Sequence, residues 1–143
     1  MNHVAIMRKS WRLIPKILTG EKTIESRWYV SRRAPWGRVS AGDVIWFRDG
    51  GAPVTARATV KKVLQLEFSG LDEIEAAVRR YGDDICLLNR VPKTWVRQPR
   101  YAILMWLEEA RPVKPFNVDK QGYGNANAWL TMPDFAKRRR PLR

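Results

Sequence analysis

Residues 54–68 alternate apolar and polar side chains with a period of two. Val54, Ala56, Ala58 and Val60 fall on one face, and Thr55, Arg57, Thr59 and Lys61 on the other. That period puts successive side chains on opposite sides of an extended chain, so the segment reads as a long, half-buried β-strand. A lone strand cannot stand in water, and the chain supplies partners as short apolar runs bounded by turn residues. Residues 4–7 are one such run. Gly42-Asp43 leads into Val44-Ile45-Trp46-Phe47, and Gly50-Gly51 with Pro53 leads into the long strand. Residues 22–29 form another strand, and residues 101–107 are apolar enough to be a central strand covered on both faces. Residues 129–131 are strand-like as well.

Two segments carry helical spacing instead. Trp11, Ile14, Ile17 and Leu18 recur at that spacing behind Ser10, a candidate N-cap, and Gly20 suits a left-handed stop. Pro15 opposes a continuous helix from Ser10 and points to a second start near Ile14. Residues 71–81 form an amphipathic helix with Leu71, Ile74, Ala77 and Val78 as its stripe. Asp72 and Glu73 favour its N-terminal end, and Gly82 is the expected terminator. Residues 92–96 have room for one helical turn. The whole predicts an α+β, mainly β chain: a small, partly closed barrel or strongly bent sheet with two or three flanking helices.

The length of 143 residues suits one domain, expected over residues 1–133 with a flexible basic tail at 134–143, and a 45% hydrophobic share provides its core. Lys and Arg number 27 against 14 Asp and Glu, a formal net charge of +13. Five of those charges are Lys137, Arg138, Arg139, Arg140 and Arg143, so the body is strongly basic even without them. Such a surface attracts polyanions, because each neutralised phosphate releases counterions. Cys86 is the single cysteine and sits in an apolar run, which suits a core residue and excludes disulfides and cysteine zinc clusters. His3 is the single histidine, near a terminus expected to fray, which speaks against Cys–His and Ser–His–Asp chemistry. No metal or cofactor is expected. No run approaches ~20 apolar residues and the N-terminus lacks an apolar signal core, so the expected setting is the cytoplasm, away from membranes.

Glu25 and Arg27 stand two apart on a strand and share a face. They are either a surface ion pair or the lining of a polar cleft, where the Arg27 fork suits a phosphate or a base edge and Glu25 accepts from an amine. The following loop interleaves Arg32, Arg33 and Arg38 with Trp36, the combination that single-stranded RNA binding uses: cations track the backbone and rings stack on bases. Trp36 equally suits a lid packed on the core, whereas Trp28 and Trp46 lie in apolar strand patterns and read as core. Lys120, Tyr123, Asn125 and Asn127 lie in a second unusual stretch, beginning near Lys114-Pro115-Phe116 and punctuated by Gly122 and Gly124. The amides either read base edges or make ordered turns. The terminal basic run either adds unspecific RNA affinity or solubilises the chain.

Gly20-Glu21-Lys22-Thr23-Ile24-Glu25-Ser26-Arg27 resembles the G-x-K-x-x-E-x-R signature of ASCH domains, and Gly42-Asp43-Val44-Ile45 resembles the strand start that follows it there. The later strand, helix and strand match in order, so the resemblance covers roughly residues 10 to 110. It implies a PUA-like β-barrel with a cleft beside the signature strand, and association with RNA. The partner expected is single-stranded or structured RNA, or a nucleotide, with DNA left open. It also draws Lys22, otherwise a solvated lysine on the opposite face, into the site. Some small members are similar in fold but remove the acetyl group from N4-acetylcytidine, using a lysine that Lys22 matches, a threonine where Glu25 stands, and a later glutamate for which Glu73 and Glu75 are candidates by location. Others are reported as ribonucleases, for which Lys22, Glu25 and Arg27 would supply base, acid and cation. An RNA-binding module is the first expectation, and a small hydrolase acting on RNA or modified nucleosides through Lys22 and Glu25 is the alternative.

Overall fold

A computed structural model describes residues 1–87 and 97–142; the helical turn expected at 92–96 lies outside them. Seven strands form one curled, half-barrel sheet: β1 (Asn2–Met7), β2 (Ile24–Tyr29), β3 (Val44–Asp49), β4 (Val54–Glu67), β5 (Tyr101–Val118), β6 (Trp129–Met132) and β7 (Arg139–Pro141). The strands follow the order β2-β5-β4-β3-β1-β6, with β7 paired to β5. All neighbours are antiparallel except β1 and β3. The mainly β, α+β expectation holds, with helices α1 (Leu13–Leu18), α2 (Leu71–Ile85) and α3 (Phe135–Arg138) around the sheet. No helix among the described residues is long and apolar enough to cross a membrane.

The alternation of β4 does what its period requires: Ala56, Ala58 and Val60 join Ala5, Ile45, Phe47, Ile103 and Met105 in the core of the concave face. β5 is central, with Ala102 and Leu104 buried on its other face. It runs well past residue 107, taking Phe116 into a strand and into the core rather than into a loop. A six-residue helix is not stable alone. α1 persists because Leu13, Ile14 and Ile17 are buried in the concave core, each contributing roughly 1.5–3 kcal/mol. It starts at Leu13 rather than at Ser10, because Arg12 adopts a left-handed φ of 51° after a 3-10 turn at Lys9–Trp11. Pro15 then falls in the first turn, where N–H groups have no helical acceptor. Gly20 follows with a φ of 81°.

α2 differs from expectation at its end. It passes through Gly82 to Ile85, and Cys86 terminates it with a φ of 59°. Tertiary packing outweighs the glycine's propensity, since Ile85 is buried with Ile24 and Leu104. At its start the Glu73 carboxylate accepts the Ser69 N–H at 2.6 Å. The C-terminal segment also differs from a flexible arm. Phe135 is buried beside Trp46 and Phe116, and residues 139–141 pair with 116–118 of β5.

His3 is not frayed but fully buried in β1. Its Nε2 lies 2.8 Å from Asp43 Oδ2, while Nδ1 lies 3.0 Å from the Thr131 hydroxyl and 3.2 Å from Trp129 Nε1. An indole N–H only donates, so Nδ1 is an acceptor and the ring is the neutral Nε2–H tautomer. Burial accordingly lowers the pKa of His3, opposed by Asp43. Burial opposes ionisation of Asp43, but hydrogen bonds from His3 and the Ser40 N–H outweigh it and hold the carboxyl below its usual range.

Truncating Phe135 to Ala is expected to destabilise the protein by about 3–5 kcal/mol in denaturant unfolding; a change below about 0.5 kcal/mol would mean that α3 does not belong to the cooperative unit. Both His3 and Asp43 make stability fall with acidification. Below the ordinary histidine value near 6.5 the unfolded chain takes up a proton that folded His3 refuses, and near pH 4 the same holds for Asp43. The melting temperature should therefore decline from about pH 7 to pH 5, and His3→Gln should flatten that part of the profile.

Candidate functional site

The sheet path ends at β2 and β6, which do not pair with each other. The gap between the β2 edge and β1 is where the signature residues meet. In the β2–β5 ladder Glu25 lies opposite Met105 and Arg27 opposite Ile103, so both polar side chains share the concave face with those core residues. Arg27 spans the gap. Its Nη1 donates to Ala128 O at 3.2 Å and its Nη2 to Ile6 O at 3.4 Å, and its guanidinium lies 5.3 Å from the Trp129 ring centre. A side chain thus stands where a closed barrel would have a strand ladder.

Lys22 reaches the same place from just before the strand. Its ammonium donates to Ile24 O at 2.7 Å and to Ile85 O at 2.6 Å, and lies 3.6 Å from Glu25 Oε1. Ile85 is the last residue of α2, so this lysine satisfies a carbonyl that the helix leaves without a partner, at the negative end of its dipole. Strand alternation alone would put Lys22 on the other face; it escapes that rule because β2 begins at Ile24. Glu25 is 3% exposed. Its Oε1 accepts the Ser26 N–H at 2.8 Å, and its Oε2 lies 3.6 Å from Arg27 Nη2. That second oxygen is buried and has no hydrogen-bond partner among the described residues.

These three groups line a cavity of about 260 Å³ whose other walls include Trp11, Leu13, Trp28 and Tyr29, with Arg8 beside them. It is slightly below the usual range of ligand pockets, roughly 300–1,000 Å³. Trp11 is 39% exposed, and the Arg8 guanidinium sits 4.7 Å from its ring centre. Chemically, the site offers one desolvated acceptor held between two fixed cations and flanked by aromatic surface. No cluster that could hold a metal ion occurs among the described residues.

The other sequence candidates lie elsewhere. Arg32 pairs with Glu67 at 3.3 Å and lies over Trp36 and Tyr101; Trp36 is half-buried with its edge against Tyr101. Arg33 covers the Tyr29 ring at 5.0 Å, and Arg38 is exposed. Tyr123 packs against the core and donates its hydroxyl to Thr131 O at 2.9 Å. Lys120, Asn125 and Asn127 line a second cavity with Arg48. Glu73 and Glu75 are exposed on α2 and do not line the first cavity. Sequence reasoning missed Arg8, Trp11 and Arg48. For Trp11 the available signal was Pro15, which separates it from the helix it was grouped with.

Replacing Lys22 by Met should cost about 3–5 kcal/mol, because it strips a buried carboxylate and two carbonyls of their cation. Lys61→Met on the exposed face of β4 is the control, expected to stay within about 0.5 kcal/mol. Equal effects in urea titrations would mean that the Lys22 contacts do not hold the fold.

No protein-family model and no curated protein matches the chain. Solved structures do. Crystal structures of ASCH from Zymomonas mobilis superpose with a TM-score of 0.65 at 18% identity over 95% of this chain and 91% of that one. Two single-residue variants of the same protein superpose with TM-scores of 0.69, at 18% and 19% identity, covering 95% of this chain and 93% and 91% of those. At such identities the likeness concerns the backbone, and it settles the architecture: this chain has an ASCH-like fold over nearly its whole length.

Proposed function

We propose that the cavity beside β2 binds one unpaired base of an RNA strand, and that Glu25 reads an amino group on that base. The observation that carries this is the buried Glu25 carboxylate, with Lys22 beside Oε1 and Arg27 beside Oε2, whose Oε2 has no hydrogen-bond partner among the described residues. A buried acceptor left empty is costly, and a ligand N–H that fills it regains that cost as affinity. A carboxylate accepts from the exocyclic amine of cytosine, adenine or guanine, whereas uracil has no exocyclic amine and offers only its N3–H between two carbonyls. The cavity has the volume of a mononucleotide-sized group rather than of a helix, and unpaired bases are the parts of RNA open to such reading. Trp11 and Arg8 at its wall supply the stacking surface and cation that single strands use. A net charge of +13 raises the local concentration of any polyanion. The likeness to ASCH domains, which are associated with RNA, is in keeping with this reading.

The hydrolase alternative uses Lys22 and Glu25 as reacting groups. Glu25 is the only carboxylate lining the cavity among the described residues, and the Lys22 donors are directed at two carbonyls and that carboxylate. Binding needs nothing further from these groups, whereas amide hydrolysis needs a second acid–base partner.

The test compares fluorescent oligo-C, oligo-A and oligo-U, as RNA and as DNA, against wild type and Glu25→Gln. Wild type should favour C or A over U, and Glu25→Gln should lose about tenfold on the preferred oligomer with little change on oligo-U. Equal losses on all three, or no RNA binding at low salt, would overturn the proposal. RNA cleavage, or release of acetate from N4-acetylcytidine, that disappears in Glu25→Gln would move the assignment to the hydrolase.

A further inference from the structure

The second cavity, of about 290 Å³, is lined in part by Ile6 and Ala128, the two residues whose carbonyls Arg27 clasps. Ile6 and Ala128 line both cavities, and the Ile6 N–H donates to Ala128 O at 2.9 Å. The chemistry of the two differs. The first holds a carboxylate; the second holds Arg48, Lys120, Asn125 and Asn127, whose amide also donates to Tyr123 O, with Gly50 and Gly51 giving its wall no side chains, and no carboxylate lines it among the described residues. Arg48 lies near the end of β3, and its Nε is buried without a hydrogen-bond partner among the described residues. Neither Arg48 nor Lys120 has a carboxylate within 4.0 Å among the described residues. Burial holds the Arg48 guanidinium below its ordinary pKa, with no neighbouring acid to offset it. A desolvated guanidinium with an idle donor, a second cation and side-chain amides is a donor set for a tetrahedral anion.

We infer that this second cavity is a phosphate subsite, which takes the phosphodiester joining the base held beside Glu25 to its neighbour. The inference rests on the base-binding reading for the identity of its ligand, but not for its anion chemistry. A nucleotide whose base sits against Glu25 need only carry its ribose across the Ile6–Ala128 bridge to bring its phosphate to Arg48 and Lys120. The pairing divides the labour common in nucleic-acid recognition, where phosphate contacts fix register and base contacts select.

Two measurements separate the two readings. In the first, cytidine and the dinucleoside monophosphate CpC are titrated into wild type, Arg48→Gln and Lys120→Ala by calorimetry. Wild type should bind CpC about tenfold more tightly than cytidine, as one charge-assisted contact allows. Each variant should close most of that gap while cytidine affinity stays unchanged. On a longer oligomer, each variant should lower the slope of log K against log salt by about 0.7, the value for one lost phosphate contact on a single strand. Variants that keep both the wild-type ratio and the wild-type slope would overturn the subsite. In the second, inorganic phosphate is titrated while backbone amide shifts are followed. Shifts at Gly51 and Asn125 that vanish in Arg48→Gln and persist in Glu25→Gln support the subsite, even where cytidine itself fails to bind and the base reading falls. Absence of those shifts at millimolar phosphate in wild type would overturn the subsite while leaving the base cavity standing.

Discussion

The fold depends on a buried ammonium. Lys22 joins the last carbonyl of α2 to a carbonyl of β2 and to the Glu25 carboxylate, in a place almost without water. Desolvating an ammonium and a carboxylate is expensive, and their attraction offsets it only with good geometry and further hydrogen bonds. Here the further bonds are the two carbonyls on one side and the Ser26 N–H on the other. From Glu25 the row of charges continues to Arg27, which ties β2 across the open side of the sheet to Ile6 and Ala128. Helix, edge strand and opposite sheet edge are thereby held by three residues spaced i, i+3, i+5. The same row explains why the barrel stops short of closing. A strand ladder would satisfy every backbone group and leave no volume, whereas a side-chain bridge leaves a cavity lined by a carboxylate whose Oε2 has Arg27 at 3.6 Å but no hydrogen bond among the described residues.

That geometry turns a structural device into a candidate binding device. Lys22 and Arg27 each have protein acceptors, so their first role is to hold the Glu25 side chain in place; Glu25 keeps acceptor capacity. A ligand donor meeting such a group loses little entropy on the protein side, since the carboxylate is already fixed. The basic second cavity and the cavity that holds the acidic group share Ile6 and Ala128 in their walls, so opposite chemistries lie on neighbouring parts of the fold.

Much of this was legible in the sequence, for identifiable reasons. The period-two pattern of residues 54–60 gave β4 its inward face, and the apolar density of residues 101–107 marked the central strand. Glu25 and Arg27 shared a face because they lie inside β2, where alternation holds. Lys22 did not obey the pattern because it precedes the first ladder residue, and only the family signature drew it in. Misread features are those where distant contacts override local preference. Gly82 did not stop α2, because burial of Ile85 carries the helix one further turn. The basic run at the C-terminus did not stay free, because Phe135 offers an aromatic anchor to Trp46 and Phe116. His3 looked like a frayed terminal residue, yet its partners Asp43, Trp129 and Thr131 stand far along the chain, where no local pattern signals them. Arg48 was hidden for a similar reason: it closes a strand whose apolar residues dominate the pattern.

The net charge of +13 is real, but most of it does not mark a site. Many guanidiniums lie on aromatic rings as part of the fold: Arg57 over Trp46, Arg139 over Phe116, Arg138 over Tyr123, Arg33 over Tyr29. Some of them crowd. Burial and the neighbouring Arg111, with Arg139, pull Arg57 below its ordinary pKa, against the opposing pull of Glu109. Such residues contribute to a long-range field that attracts any polyanion, and salt screens that field over about 10 Å. Selection has to come from groups that desolvation and geometry single out within contact range. By that criterion a handful of residues stand apart from the rest of the charge: Glu25, Arg48 and Asp49, each with a buried polar atom that has no hydrogen bond among the described residues, and the three-residue row that ends in the Arg27 clasp. A protein of this composition without those residues would keep its long-range field and lose the groups on which the proposed base reading relies.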